Sequence, residues 1–246
     1  MTRDQQPGLA LFAVGMIGLG ILALIYGDFA LVWQPVPAWV PGRTGLAYAS
    51  GLVMLLGGVG LLFGRTRVPS TRVLFVYLII WALLKVPAVV TAPQVESNWL
   101  GLGELTALLA GGWTLFATGE KGVRVARIIF AVSLVPIGLS HIVYAQGTAD
   151  YVPAWLPYRI GWAYLTGVGH IAAGLAVLLS VVPRLAAAME TGMLTVFTLL
   201  VWVPAILAAP TTRIPWTAFF VSWAITAAAW VVTQNIRPRR DLAAAP

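Results

Sequence analysis

The first candidates for chemistry are four ionisable side chains that lie inside long apolar stretches of this 246-residue sequence: Lys85, Glu104, His141 and His170. Such groups are costly to insert into a bilayer, so they often mark ligand, ion or proton sites. The sequence contains no cysteine, which excludes thiol exchange, thiolate metal sites and iron–sulfur clusters within this chain. Any redox role would therefore need a bound cofactor or a partner, and no metal site is predicted.

Lys85 and Glu104 are predicted to form an intramembrane charge pair. They lie about eight and about five residues from the same ends of two consecutive apolar segments, so at roughly 1.5 Å per residue their depths differ by a few Å. Two interpretations stay open. The pair either pins two neighbouring helices together or takes part in handling a proton or a ligand.

The two histidines of the sequence fall in its second half. His141 lies near the end of one apolar segment and His170 about eleven residues into the next. Their predicted depths differ by roughly 7 Å, which disfavours a haem held between both rings. Each histidine is predicted either to be a buried, hydrogen-bonded side chain or to contact the head group of a ligand.

The composition indicates a polytopic membrane protein. Hydrophobic residues make up 60% of the chain and charged residues 9%, far from the balance of soluble domains. The net charge of +7 comes from single basic residues at the ends of apolar segments. Nucleic acid is therefore not a predicted partner, whereas the lipid bilayer is, and the basic residues predict membrane topology.

The apolar segments predict an all-α fold with eight transmembrane helices. Approximate bounds are Gly8 to Tyr26, Arg43 to Gly64, Val73 to Ala92, Trp99 to Phe116, a fifth ending near Ala145, Arg159 to Val182, Ala186 to Ala208 and Trp216 to Thr233. Eleven of the fifteen Lys and Arg residues fall on the side of the two termini, and only Arg43, Arg159 and Arg213 fall on the other. This bias predicts a bacterial-type plasma membrane protein with both termini cytoplasmic.

An internal repeat divides the chain into two four-helix units, residues 1–118 and 119–246. The stretch from Val36 to Gly51 matches that from Val152 to Gly167 without a gap, including the shared Pro, Trp, Arg, Tyr and Gly positions. An even number of spans per unit predicts a parallel repeat about an axis along the membrane normal.

Residues that only one copy carries are not required by the shared fold. Trp202 and Val221 occupy the positions of Lys85 and Glu104, and Ala23 and Met54 occupy those of His141 and His170. Each half therefore has its own set of intramembrane polar groups.

Two loops rich in Pro and Trp precede the second and sixth spans, and repeated Pro forbids a continuous helix there. We expect both loops to fold over the bundle mouth with Trp39 and Trp155 pointing inward, because irregular backbone at membrane depth must pack on protein or line a cavity. The predicted ligand-binding residues are His141, His170, Trp155, Tyr164, Trp39 and Tyr48.

The second half resembles the DoxX-like membrane family. The resemblance rests on Gly138-Leu-Ser-His141, Tyr151-Val-Pro-Ala-Trp-Leu-Pro157 and Trp162-Ala-Tyr-Leu-Thr-Gly-Val-Gly-His-Ile-Ala-Ala-Gly174. It implies a four-helix unit, here fused as a tandem pair. It also implies quinone-linked oxidation of small sulfur compounds, complexes with redox partners, or membrane-protein assembly, according to the member.

Three functions follow from these observations. The first is a redox-accessory subunit that binds a quinone or similar amphiphile beneath the Pro/Trp loops, as a component of a quinone-linked oxidoreductase if it takes part in catalysis. The second is a structural or assembly partner in the membrane, favoured by the shortage of polar residues. The third is a transporter. It is disfavoured because a transporter is expected to line a continuous polar path, and the inner halves of these spans are almost wholly apolar.

Overall fold

The computed structural model describes residues 6–31, 33–117 and 119–236, and within these residues the regular secondary structure is helical with no strands. The helices are α1 (Gln6–Tyr26), α2 (Arg43–Leu62), α3 (Arg67–Thr91), α4 (Glu96–Phe116), α5 (Glu120–Val143), α6 (Ala145–Tyr151), α7 (Arg159–Leu178), α8 (Pro183–Phe197), α9 (Val203–Ala208) and α10 (Arg213–Gln234). A π-helical turn, Thr198–Trp202, joins α8 to α9. The all-α prediction is confirmed.

Seven segments of the described chain are long and apolar enough to cross a membrane, and α8, the π turn and α9 together make one of them. Helix α4 is not among the seven, although it is 21 residues long. It contacts α3, α5 and α10, and ten of its residues are buried. A helix surrounded by protein tolerates lower hydropathy, because little of it faces lipid. The eighth span stays a prediction.

The long helices contact one another in the same order in each half. The sequence of neighbours is α1–α2–α3–α4 in the first half and α5–α7–α8–α10 in the second. Between halves, α4 packs on α5, α10 packs on α1, and α4 packs on α10. This arrangement is what a duplicated unit would produce, and the duplication and the boundary near residue 118 stay predictions.

Corresponding glycines bring corresponding helices into close contact. A Cβ on Gly51 would lie 3.1 Å from the Gly20 carbonyl oxygen, and a Cβ on Gly167 would lie 2.8 Å from that of Gly138. Small residues of this kind let membrane helices approach closely. The backbones of α1 and α2, and those of α5 and α7, are therefore nearly in contact.

The third span of the second half is one residue longer than its counterpart. Helix α3 has 25 residues from Arg67 to Thr91, whereas the span from Pro183 to Ala208 has 26. Helix α3 continues through Pro87, but the second half forms the π turn just before Pro204. A π turn accommodates one extra residue in a helix. Residues of α8 before this turn therefore correspond to α3 residues 116 positions earlier.

The two Pro/Trp loops differ from the prediction. The expected irregular segment after α5 begins with a short helix, α6, and only 152–158 are non-helical. In the first loop the side chain that fills the bundle mouth is Trp33, which is fully buried.

Candidate functional site

A buried cluster of polar side chains joins three helices of the second half. Nδ1 of His170, on α7, lies 2.7 Å from Oε1 of Glu190, on α8. Both residues are only 1% exposed. A carboxylate can only accept hydrogen bonds, so Nδ1 of His170 donates and its Nε2 is left for another partner. The other carboxylate oxygen, Oε2 of Glu190, is buried and has no hydrogen-bond partner within the described residues.

His141, on α5, extends this cluster. Its Nδ1 lies 2.8 Å from the hydroxyl of Thr166, and that hydroxyl donates to the Ala163 carbonyl at 3.0 Å. A hydroxyl has one hydrogen to donate, and when Thr166 donates it to the Ala163 carbonyl, Oγ1 accepts from Nδ1 of His141. In that arrangement neutral His141 carries its proton on Nδ1 and has a lone pair on Nε2. We call Glu190, His170, His141 and Thr166 the histidine cluster.

The two imidazole rings are in contact, with centroids 5.0 Å apart and planes at 77°. The predicted depth difference of roughly 7 Å is therefore wrong. The close approach of the two helices at Gly138 and Gly167 is the cause. A Cβ on Gly138 would lie 3.1 Å from Cβ of His170, and a Cβ on Gly167 would lie 3.1 Å from Cβ of His141. Two rings in direct contact leave no space for a haem between them. Within the described residues no group of three or more His, Cys, Asp or Glu side chains has the arrangement of a metal site.

Phe197 covers the histidine cluster at the end of α8. Its ring centroid lies 5.9 Å from that of His141 and 6.1 Å from that of His170. The π turn begins at the next residue, and two of its residues, Leu200 and Val201, line a cavity of about 420 Å³ beneath the second Pro/Trp loop. We call this the loop cavity. The π turn thus connects the residue that covers the histidines to the wall of the cavity.

The comparison with known families concerns the same part of the chain. The sequence model of the DoxX family matches residues 122–203, which include His141, His170, Glu190 and Phe197. Residues 122–203 are therefore similar to this family, and we refer to them as the DoxX domain. No curated protein and no solved structure gives a significant match to the chain. The resemblance seen in the sequence is therefore confirmed for the second half.

The predicted inward tryptophans of the two Pro/Trp loops, Trp39 and Trp155, are exposed. Trp155 is 72% exposed and Trp39, its counterpart in the first half, is 80% exposed. The prediction that both point inward is wrong. Each lies at the tip of a tight turn, closed by bonds from Val40 N to Pro37 O and from Leu156 N to Pro153 O, which directs the side chain away from the bundle. Exposed Trp at this position suits the membrane interface.

The other predicted aromatic residues of the site are also at the surface. Tyr48 and Tyr164 are 43% and 48% exposed, and neither belongs to the histidine cluster. Trp155 does line the loop cavity, together with the ion pair in which Arg159 lies 3.7 Å from Asp150. Of the six predicted ligand contacts, the structure brings together His141 and His170, and places Trp155 beside the neighbouring cavity.

Lys85 and Glu104 lie on adjacent helices, as predicted. Lys85 is buried on α3, and its ammonium group interacts electrostatically with the Glu104 carboxylate on α4. They belong to the first half and are separate from the histidine cluster. Their pairing, and any role in ligand handling, stay predictions.

Glu190 is the functional candidate that sequence reasoning missed. It is an isolated acid within a predicted span, so the rule that selected Lys85 and Glu104 applies to it equally. Met189-Glu190-Thr191-Gly192 lies near the start of the predicted span, where a polar run resembles the end of a linker. Its partner, His170, was predicted.

The first half has a different buried polar network. The Gln34 amide donates to the hydroxyls of Ser50 at 2.9 Å and Tyr77 at 2.6 Å, and these two hydroxyls lie 2.7 Å apart. Oε1 of Gln34 accepts from the Ala30 N–H at 2.7 Å. We call Gln34, Ser50 and Tyr77 the glutamine network. It fixes the first Pro/Trp loop to α2 and α3.

An ion cluster at the end of α1 connects the two halves. Asp28 binds Arg43 of α2 and Arg213 of α10, the latter at 2.8 Å. Burial alone would raise the pKa of the Asp28 carboxyl, but hydrogen bonds from Arg213, the Phe29 N–H and Arg43 outweigh it and hold the pKa below its usual value. The cluster holds the first loop in place across the boundary between halves.

Proposed function

We propose that the DoxX domain binds an amphipathic molecule with a hydroxyl-bearing head group, of which a quinol is the chemical type. The observation that carries this proposal is the buried histidine cluster, in which two imidazoles and a carboxylate meet in an apolar bundle. The first half has the same neighbour order without this cluster. The cluster is therefore not a requirement of the helix arrangement.

The hydrogen-bond directions indicate which head group fits. His141 donates from Nδ1 to Thr166, so its Nε2 accepts a hydrogen bond from a ligand hydroxyl. Glu190 fixes the orientation of the His170 ring, as a second partner does for many functional histidines. A small number of polar anchors in a largely apolar pocket is typical of sites for such ligands.

The loop cavity supplies space for the apolar part of the ligand. Its walls include Trp155, Leu200, Val201 and Pro204. Irregular helix turns of the π type occur frequently at functional sites, and this one borders the cavity and follows Phe197 directly. Movement of Phe197 would connect the cavity to Nε2 of His141.

The wider setting is part of the same proposal. We place the protein in a bacterial-type plasma membrane with eight spans and both termini cytoplasmic, supported by the basic residues at the terminal side. In this orientation the loop cavity opens to the outside. The role would be that of a redox-accessory subunit that holds a quinol for a partner oxidoreductase.

The test is binding of short-chain quinol and quinone analogues to purified protein in detergent, followed by tryptophan fluorescence and thermal shift. We expect His141→Ala to weaken quinol binding by up to about tenfold, the value of one neutral hydrogen bond. Quinone, which offers no hydroxyl hydrogen, should bind less tightly than quinol to the wild type. Trp155→Ala should weaken both.

Tyr77→Phe is the matched control, because it removes a buried hydroxyl from the glutamine network without touching the DoxX domain. Its ligand affinity should equal that of the wild type. Unchanged affinity in both His141→Ala and Trp155→Ala, with the fold intact, would favour the alternative of a structural or assembly partner.

A further inference from the structure

We infer that a second cavity, at the opposite end of the bundle and unrelated to the histidine cluster, binds the head group of an anionic phospholipid. This cavity has a volume of about 710 Å³. Three cations, Arg67, Arg72 and Lys121, line it. We call it the basic cavity.

The basic cavity lies where five helices begin or end. Arg67 and Arg72 come from the start of α3, Lys121 from the start of α5, Phe116 from the end of α4, and residues from the ends of α1 and α10 complete it. These are the ends of apolar spans, so the cavity opens at the level of the lipid head groups. It also lies on the junction between the two halves.

The position of one cation is fixed by the fold. Nε of Arg67 donates to the Leu61 carbonyl at the end of α2, at 3.1 Å, which holds the guanidinium at the cavity wall. Arginine presents several donors in a planar fork that matches phosphate oxygens. Lys121 adds a second charge from a different helix. A phosphate in the cavity would thus be contacted from two sides.

Part of the remaining wall is apolar, beside the uncharged polar side chains of Thr71, Thr114, Gln234 and Asn235. Phe75 packs edge to face on Trp113, with ring centroids 5.2 Å apart, and stacks on Phe116 with centroids 4.6 Å apart. Trp113 and Phe116 both line the cavity, as do Leu9 and Val231. A soluble anion would gain little from this surface, whereas the glycerol and upper acyl chains of a lipid would cover it. The combination therefore favours a phospholipid over a free phosphate compound.

The predicted internal repeat indicates that the helix arrangement does not need all of this charge. Helices α3 and α8 start at Arg67 and Pro183, so the positions of Arg67 and Arg72 are occupied by Pro183 and Ala188 in the second half. Arg72 is exposed and can be replaced without removing a buried partner. Basic clusters beside membrane helices are recognised features of anionic-lipid binding.

The experiment is native mass spectrometry and thermal shift of the full protein with phosphatidylglycerol, with phosphatidylcholine, and with soluble glycerol phosphate. Each basic residue near a membrane surface contributes roughly a fivefold gain in affinity. We therefore expect Arg72→Ala/Lys121→Gln to weaken phosphatidylglycerol binding about twentyfold. Arg72→Lys, which keeps the charge, should stay within about twofold of the wild type.

Arg184→Gln is the matched control, because it removes an exposed cation near the start of α8 that does not line the basic cavity. Its phosphatidylglycerol affinity should be that of the wild type. An equal loss in this control, or equal binding of phosphatidylcholine, would overturn the inference by showing nonspecific attraction. Displacement of phosphatidylglycerol by glycerol phosphate would overturn it in favour of a soluble anion.

Discussion

The two halves of the chain share a helix arrangement but bury different polar networks around the same position. Ser50 on α2 and Thr166 on α7 occupy corresponding positions in the predicted repeat. Ser50 bonds Gln34 and Tyr77, which hold a loop, whereas Thr166 bonds His141, which leads to His170 and Glu190. The first network consists of neutral groups that satisfy one another. The second contains three titratable groups.

This difference suggests that the halves have separate tasks. The glutamine network fixes the first Pro/Trp loop, in which Trp33 is fully buried. In the second half the corresponding loop leaves a cavity, and the extra residue of the third span is accommodated next to Phe197. We infer that the first half stabilises the bundle and that the DoxX domain carries the ligand site.

The largest expected effect comes from replacing residues of the histidine cluster, one at a time, by the residues at the corresponding positions of the first half. Met54 and Leu74 occupy the positions of His170 and Glu190. His170→Met leaves the Glu190 carboxylate buried without its partner, so we expect the free energy of unfolding in detergent to fall by about 3–5 kcal/mol.

His170→Met/Glu190→Leu should recover most of this loss, because a buried pair replaced by apolar residues of similar volume is often neutral. Unfolding by denaturant in mild detergent measures both variants. Equal destabilisation of the single and double variants would show that Glu190 and His170 do not depend on each other. Ligand binding should be lost in both.

Lys85 and Glu104 test whether the charged residues of the first half act separately from the ligand site of the second half. Lys85→Met leaves Glu104 without its electrostatic partner inside the bundle, at a cost of about 2.5–3.5 kcal/mol on insertion scales. Lys85→Met/Glu104→Gln should be less destabilised than the single variant in the same unfolding assay. If both lose equal stability, the predicted pairing is wrong. Quinol binding by the DoxX domain should not change in either.

Matched glycine substitutions test whether the contact of α1 with α2 and the contact of α5 with α7 are equivalent. In Gly20→Ala the new methyl group would lie 2.7 Å from the Gly51 carbonyl oxygen, and in Gly138→Ala it would lie 2.5 Å from that of Gly167. Each should lower stability by about 1–3 kcal/mol, as overpacking does. Only Gly138→Ala should also weaken quinol binding, because it separates His141 from His170. Equal ligand affinity in both variants would contradict the proposed site.

The sequence was sufficient to predict the long helices but not the short helix α6, because apolar segments of bilayer length are bounded by Pro, Gly and basic residues. It also indicated His141 and His170, since isolated polar residues in such segments are informative. The contact between their rings could not be predicted from depth alone. The close approach of α5 and α7 at Gly138 and Gly167 brings together two rings that a count of residues along the helices separates.

The orientation of the loop tryptophans could not be predicted either. Pro37 and Pro153 indicate a turn, but the direction of Trp39 and Trp155 depends on which residue forms its tip. The π turn was also not predictable, because its sequence is an ordinary apolar run. Only the difference of one residue between two spans, 25 against 26, identifies it.

The smallest expected effect concerns the loop acids, Asp28 in the first half and Asp150 in the second. Arg43 and Arg159 occupy corresponding positions, but Asp28 also binds Arg213 whereas Asp150 is exposed and 3.7 Å from Arg159. Because the pKa of Asp28 is lowered on folding, its ionised form stabilises the protein above the unfolded pKa near 3.8, and this contribution is lost as the pH falls through the folded pKa.

Asp28→Asn should therefore reduce stability at pH 7 by about 0.5–1.5 kcal/mol, a modest value for a partly exposed group. The difference between wild type and variant should shrink as the pH is lowered below about 4. Asp150→Asn, the matched control, should change stability little at any pH, since exposed ion pairs contribute little. Thermal unfolding in detergent at pH 7, 5, 4 and 3 gives the comparison. A difference for Asp28→Asn that stays constant with pH would show that its hydrogen bonds, and not its charge, hold the two halves together at this end.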